Sequence, residues 1–236
     1  MKFREVDMSN DFDFSVYPNC EIHCVVIEIN GEKDLSDAVS EISQKIADTS
    51  WISKLPTFFR DAFLANAPKT IDKIVNEILN KVASGLNEKI GEYLVSFTAQ
   101  QALETLFHHY RLPLAEILKE QLSNNPGFDF HTISHKDNLI HGEAKYGGKD
   151  TRWTEATDQI SGFIAEKKHE GEQLWLFPFL SEPVITNINA GKRGFTAAFS
   201  MHAKNEKLIF RHALESDASK KIAQYEEYYL IAVVIC

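Results

Sequence analysis

Past residue 87 the chain switches between two hydrophobic periods, and that switching constrains its fold more than any single motif. A run at helical spacing covers residues 87–110 and is apolar over a wide arc. A short helix is expected after Pro113, over 114–122. The turn signal Asn124-Asn125-Pro126-Gly127 then introduces two strand-like runs, 128–134 and 138–146, and Gly147-Gly148 breaks the second. A helix is expected over 154–168. Residues 173–180 (QLWLFPFL) read as a buried strand, and 194–201 and 206–212 as further strands. Residues 218–227 look helical, and 228–236 (YYLIAVVIC) read as an apolar strand. The order helix, strand, strand, helix, strand implies an α/β fold.

The preceding part, 1–86, contains one expected strand and is otherwise mostly helical. Residues 20–29 (CEIHCVVIEI) are apolar and β-branched, with Asn30-Gly31 as a turn. Leu35, Val39, Ile42 and Ile46 stand at helical spacing, with Asp34 placed to cap. Residues 51–66 are helix-like but interrupted by Pro56. Residues 70–84 put Ile71, Ile74, Val75, Ile78, Leu79 and Val82 on one face, and Gly85 stops the run. The natural division is thus 1–86 and 87–236, with no internal repeat.

Composition limits the function classes. No apolar run reaches the ~18 residues that span a bilayer, and the first ten residues mix charged with apolar side chains, unlike a signal peptide. Cys20, Cys24 and Cys236 are too few for a disulfide framework, so a reducing cytoplasm is expected. Twenty-five Lys and Arg face 34 Asp and Glu, a net charge of −9. A chain that grips nucleic acid over its whole surface is basic. This one either binds none, uses a local basic patch, or leaves the grip to a partner.

The informative stretch is 127–145, GFDFHTISHKDNLIHGEAK. Glu143 and Lys145 are two apart in a strand and share a face. In a hairpin centred near Lys136, Asp129 lies opposite or diagonal to Glu143, with directly opposed Cβ atoms about 5 Å apart. Opposed like charges destabilise a sheet, which suggests a cation between them. Paired carboxylates with open coordination suit Mg²⁺, and the neighbouring ammonium can stabilise charge developing on a phosphate. Glu-x-Lys alone is weak, because composition produces about one match in a chain this long. The second match, Glu166-Lys167-Lys168, is discounted because i and i+2 on a helix do not face each other. Glu92 sits on the apolar stripe of Val95, Ala99, Ala102 and Leu106, a costly place for an unpaired carboxylate. Gln159 borders Ala156, Ile160 and Phe163 on the later helix.

Glu92 in a helix, Asp129 in a strand, Gly142-Glu143-Ala144-Lys145 in the next strand and Gln159 in the following helix together resemble the PD-(D/E)xK nuclease superfamily, over about residues 87–180. The resemblance implies a restriction-endonuclease-like αβββαβ core with a central mixed sheet. It implies that Asp129 and Glu143 bind Mg²⁺, for which Mn²⁺ may substitute, with the Ala144 carbonyl contributing. It also implies that Lys145 positions or activates the attacking water, that Glu92 is an auxiliary metal or water ligand, and that Gln159 supports the site or contacts DNA. The Pro-Asp pair of the family pattern is absent, since Pro126 lies three residues before Asp129. Within the superfamily the short acidic chain is similar to the nuclease subunits of Hachiman anti-phage defence systems, which act with a helicase. That likeness implies a helicase that holds the DNA, an N-terminal part that binds the partner, and Lys136, Lys149, Arg152, Lys192 and Arg193 as local guides for a strand.

Other chemistries have weaker signals. His131, His135 and His141 invite zinc, but no cysteine is near and their spacing fits no zinc module, so one histidine is expected at most to border the metal site. His108-His109 reads as capping or surface chemistry. No Gly-x-Ser-x-Gly elbow and no Walker A loop is present. Two further readings stay open: a standalone restriction-type endonuclease, and a catalytically silent adaptor with a nuclease fold.

Overall fold

Residues 227–233 of the last strand are buried without alternation, so both of its faces must be covered. The same holds for the strand at Gly194–Ser200. Two such strands belong in the middle of a sheet with helices on either side. The computed structural model, which describes residues 1–78, 86–118 and 127–235, has that arrangement. The strands are β1 (Lys2–Glu5), β2 (Glu21–Ile29), β3 (Tyr110–Arg111), β4 (Phe130–Ile133), β5 (Leu139–Lys145), β6 (Gly194–Ser200) and β7 (Glu227–Ile235). They form one seven-stranded mixed sheet in the order β1-β2-β7-β6-β5-β4-β3. The run β2-β7-β6-β5 is parallel, and β1, β4 and β3 join antiparallel. The 1–86 part therefore contributes two strands to the same sheet as the rest.

On one face lie α1 (Gly31–Ala47), α2 (Thr57–Asp72) and α3 (Glu88–Phe107). Ile42 and Ile46 of α1 and Leu94, Val95 and Ala99 of α3 pack on Ile27, Ile140, Ala144, Ala198 and Ile231. On the other face, α5 (Trp153–Ala165), α9 (Glu206–Glu215) and α10 (Asp217–Ile222) cover Val26, Phe195, Ala197, Phe199 and Leu230. Short helices α4 (Ala115–Leu118), α6 (Lys168–Gly171), α7 (Gln173–Leu176) and α8 (Glu182–Asn189) fill the remaining connections, with 3₁₀ turns at Phe14–Val16 and Ser50–Lys54. Asp34 does not cap with its own residue. Asn30 is the N-cap of α1, and the Asp34 carboxylate reaches back to the Asn30 N–H and the N-terminal ammonium.

Several expectations need correction. Residues 173–180 are not a strand but α7 followed by a 3₁₀ turn, Phe177–Phe179, with Leu174, Trp175 and Phe177 exposed. A short apolar run does not distinguish strand from helix, and the place beside β5 is taken by β6. Residues 206–212 are helical. Asn205 caps α9 by accepting the Leu208 N–H, and Phe210, Ala213 and Leu214 face the core at helical spacing. The amphipathic helix expected over 70–84 begins as the end of α2 and continues as π-helical turns at Lys73–Ile78. Residues 79–84, 119–122, 124–126 and Cys236, on which parts of other expectations fall, lie outside the described residues. Among the described residues, no helix is long and apolar enough to cross a membrane.

Two features lock the β4–β5 hairpin to the rest of the sheet. Glu227, fully buried, accepts hydrogen bonds from Ser134 Oγ (2.6 Å), Asn138 Nδ2 (2.7 Å) and the Tyr229 hydroxyl (2.6 Å). Because that hydroxyl donates to the carboxylate, it accepts from His109 Nε2, whose Nδ1 then accepts from Thr132. His109 is therefore a buried connector rather than a surface group, and burial pulls its pKa down to about 3. Gly142 is needed for a close approach: the Phe130 ring lies across it, where a Cβ would meet ring atoms at 2.2 Å.

Gly142→Ala is expected to lower stability by about 1–3 kcal/mol through overpacking. Gly162→Ala, in α5 with nothing within 4 Å of the added carbon, should instead gain roughly 0.5–1 kcal/mol. Tyr229→Phe, which removes one donor to Glu227, should lose about 1–3 kcal/mol. Denaturant melts of the three variants check these signs.

Candidate active site

The site forms where β5 ends. Phe130 pairs with Gly142 and His131 with His141. One residue further out, the Asp129 N–H donates to the Gly142 carbonyl at 2.9 Å, and extending the register past Phe130 and Gly142 sets Asp129 beside Glu143. The Asp129 Oδ2 accepts the Ala144 N–H at 2.8 Å. Gly142 and Ala144, two apart, present their backbone groups to the same side, so the Ala144 carbonyl faces the Asp129 edge.

Glu143 is 1 % exposed. Its Oε1 accepts from Lys145 Nζ at 2.7 Å, while its Oε2 is buried with no hydrogen-bond partner among the described residues. Lys145 Nζ also lies 3.7 Å from Glu92 Oε1, so the α3 carboxylate reaches the same point from another element. The pairing expected from the apolar stripe of α3 is thus with Lys145. Asp129, Glu143, Lys145 and Glu92 converge. Gln159 does not join them: it is half-buried on α5, and among the described residues it makes no hydrogen bond to these carboxylates.

The electrostatics follow from burial and like charge. Glu143 is pushed well above its ordinary value, first by burial and then by Asp129, with Lys145 opposing. Glu92 rises from 4.5 to about 7, first through burial, then through Asp129 and Glu88, again against Lys145. Burial pulls Lys145 down, but Glu143, Asp129 and Glu92 together outweigh it, and its pKa is raised. Lys145 is therefore an ammonium and a donor. The three carboxylates carry the hard oxygen atoms that Mg²⁺ takes, but they gather around Lys145 and not around one empty point. Among the described residues only His131, His141 and Glu172 bring three ligand atoms within 4.8 Å of one another, so a divalent cation here would have to draw the carboxylates together.

Asp129 and Glu92 open onto a cleft of about 560 Å³, also lined by Glu88, Lys89, Tyr93, Ser96 and Glu116, so four carboxylates there face one lysine. Glu143 and Lys145 lie behind that wall. The mouth is acidic, which favours a cation over a bare phosphate chain. Tyr93, whose buried hydroxyl has no hydrogen-bond partner, is a lining residue that sequence reasoning missed. Its position inside an apolar helix gave no signal.

The expected basic guides divide by position. Lys136 is in the hairpin turn and pairs with Glu21, while Lys192 and Arg193 precede β6. All three sit at the opposite end of β5 from the site, about 17 Å away at 3.3 Å per residue. Arg193 is also buried. Lys149 and Arg152 follow β5 and lie at the site end, but Arg152 pairs with Glu155.

A second cluster lies deeper on the same strands. His131, His141 and Glu172 bring three potential ligand atoms within 4.8 Å of one another. His135 is exposed in the turn and takes no part. Glu172, 41 residues from His131, carried no sequence signal, because a Glu in a polar helical stretch is usually a surface residue.

Compared with known proteins, the chain matches no protein-family model, no curated protein and no solved structure.

The raised carboxylates set a pH dependence for the metal-free chain. Between 4.5 and about 7 the folded state retains a proton on Glu92 that the unfolded state releases. Stability therefore falls as pH climbs through that window. Glu92→Gln should flatten this slope in chelator. Mg²⁺ should raise the melting temperature more above pH 7 than below pH 4.5, where protons compete for the carboxylates. Melts across pH with and without Mg²⁺ check both.

Proposed function

We propose that the chain is a Mg²⁺-dependent DNA endonuclease of the PD-(D/E)xK type. The observation that carries this reading is the convergence of Asp129, Glu143, Lys145 and Glu92 at one strand end, with Glu143 Oε2 buried and unpartnered. The element order is compatible with it: α3, the two-residue β3, β4, β5, α5 and β6 follow the helix, three strands, helix, strand order of a restriction-endonuclease-like core, with α4 inserted between β3 and β4 and α6, α7 and α8 between α5 and β6.

Asp129, Glu143 and Glu92, with the Ala144 carbonyl, would hold the ion. Bound there, Mg²⁺ supplies Lewis acidity toward a phosphate oxygen and acidifies a water. Mn²⁺ can take the same oxygen ligands. Asp129 is held in place by the Ala144 N–H. Glu143 holds the Lys145 ammonium, which donates a hydrogen bond to an attacking water or to an oxygen gaining charge. Glu92 limits the swing of Lys145 from the α3 side. In-line attack on phosphorus breaks the bond to the 3′-side oxygen and leaves 5′-phosphate and 3′-hydroxyl ends. Gln159 keeps only a supporting role in this reading.

The acidic mouth and the net charge of −9 favour an effector whose DNA is held by a helicase partner over a standalone restriction-type enzyme. The resemblance to Hachiman nuclease subunits implies a role in bacterial anti-phage defence in the cytoplasm, with the 1–86 part as the partner-binding surface.

Glu143→Gln and Lys145→Met are each expected to cut Mg²⁺-dependent nicking by about 10²–10³-fold, with melting temperatures that show an intact fold. Plasmid cleavage is measured with the chain alone and with a co-purified helicase. Undiminished cleavage in both variants rejects the assignment, and wild type that cuts one sequence without a partner rejects the helicase-dependent form. A wild type that binds no Mg²⁺ by calorimetry leaves the adaptor reading in place.

A further inference from the structure

We propose that His131, His141 and Glu172 bind one transition-metal ion, zinc by preference, inside the core beneath the β4–β5 hairpin. This site is separate from the carboxylate site and stands whether or not the chain cuts DNA.

The three side chains come from three segments. His131 and His141 are register partners on β4 and β5, with ring centroids 5.1 Å apart. Glu172 lies between α6 and α7, and its Oε1 also accepts the Phe128 N–H at 3.0 Å. All three are buried, and the rings of Phe128 and Phe195 pack on His141. Two histidines and a carboxylate are ligands that zinc takes readily, whereas Mg²⁺ prefers oxygen alone.

The two distances from the carboxylate bracket the spacing of a small tetrahedral ion, and all three ligand atoms lie within 4.8 Å of one another. Glu172 Oε2 lies 2.8 Å from His131 Nε2 and 3.7 Å from His141 Nδ1. Zinc bonds of about 2.0–2.1 Å put tetrahedral ligands about 3.3 Å apart, between those two values. The His141 contact is too long for a hydrogen bond, and the His141 Nδ1 is buried without a partner. His131 now donates Nε2–H to the carboxylate. On metal binding that proton passes to Nδ1, and Nε2 takes the ion. His169 stands beside the group, its ring centroid 6.1 Å from that of His141 and its Nδ1 buried without a hydrogen-bond partner among the described residues.

Such an ion would be structural. His131 and His141 each stand two residues from Asp129 and Glu143 on the same strands. Fixing the histidines to the 172 segment fixes the strand ends that carry the carboxylates. The enclosure also means uptake on folding and slow release afterwards.

The full chain is produced in medium supplemented with zinc or with Co²⁺, dialysed against chelator, and assayed for metal by mass spectrometry and for Co²⁺ d–d absorption. One equivalent should survive dialysis, with absorption typical of low-coordinate Co²⁺. His141→Gln and Glu172→Gln should each retain at least tenfold less metal, whereas Glu143→Gln should retain it fully. Folded wild type that carries no zinc or Co²⁺ after this growth overturns the site, even if the variants fail to fold. Metal lost in Glu143→Gln but kept in His141→Gln also overturns it, by assigning the ion to the carboxylates. A chain that cuts no DNA yet holds the ion supports it.

Discussion

Asp129 and Glu143 face each other at the open end of a two-stranded ribbon, and the Lys145 ammonium binds the more deeply buried of the two. Two carboxylates at this spacing repel, and burial strengthens the repulsion by removing water. One lysine does not neutralise three carboxylates once Glu92 arrives from α3. Without a cation, that charge is balanced by the Lys145 ammonium and by protons that burial and like charge keep on Glu143 and Glu92, at a strand end that opens on one side to an acidic cleft. Every chemical reading of the chain begins from how that charge is balanced.

Like groups held this close persist only when the surroundings fix the geometry. Here the fixing groups are distributed along the hairpin. Glu227 holds the turn through Ser134 and Asn138, and the Gln100 side chain ties α3 to the carbonyls of Leu112 and His131. The Phe130 ring covers Gly142 at the level where the carboxylates begin. His131 and Glu172 anchor the opposite face. The hairpin is thus fastened at its turn, its middle and both faces, and only its open end reaches the cleft.

The position of the site in the sheet also has a physical origin. Helix N-termini and loops gather beyond the carboxyl ends of parallel strands, which is where ligands bind in open α/β sheets. The carboxylates lie at the carboxyl end of β5, between antiparallel β4 and parallel β6. The lysines at the turn end are too far away to act there, whatever their charge.

The elements were legible where local chemistry decides them. The unbroken apolar runs of β2 and β7, the helical period of α3, and the two short runs flanking the 135–137 turn all announced themselves, because period and turn residues act within a few positions. Register along a hairpin follows from its turn, so a place for Asp129 opposite or diagonal to Glu143 was readable too. The segment at 173–180 was not, since an apolar run fits helix and strand alike and only the occupied neighbour of β5 chose between them. Nor was the convergence of Glu92 on Lys145 fixed by spacing alone, because it depends on how α3 crosses the sheet. Glu172 beside His131 and His141 was invisible for the same reason: no local pattern links residues 41 apart. The sequence determined which residues share a strand and a face; the tertiary structure decided which faces and ends meet, because contacts between distant segments depend on packing and not on neighbours in the chain.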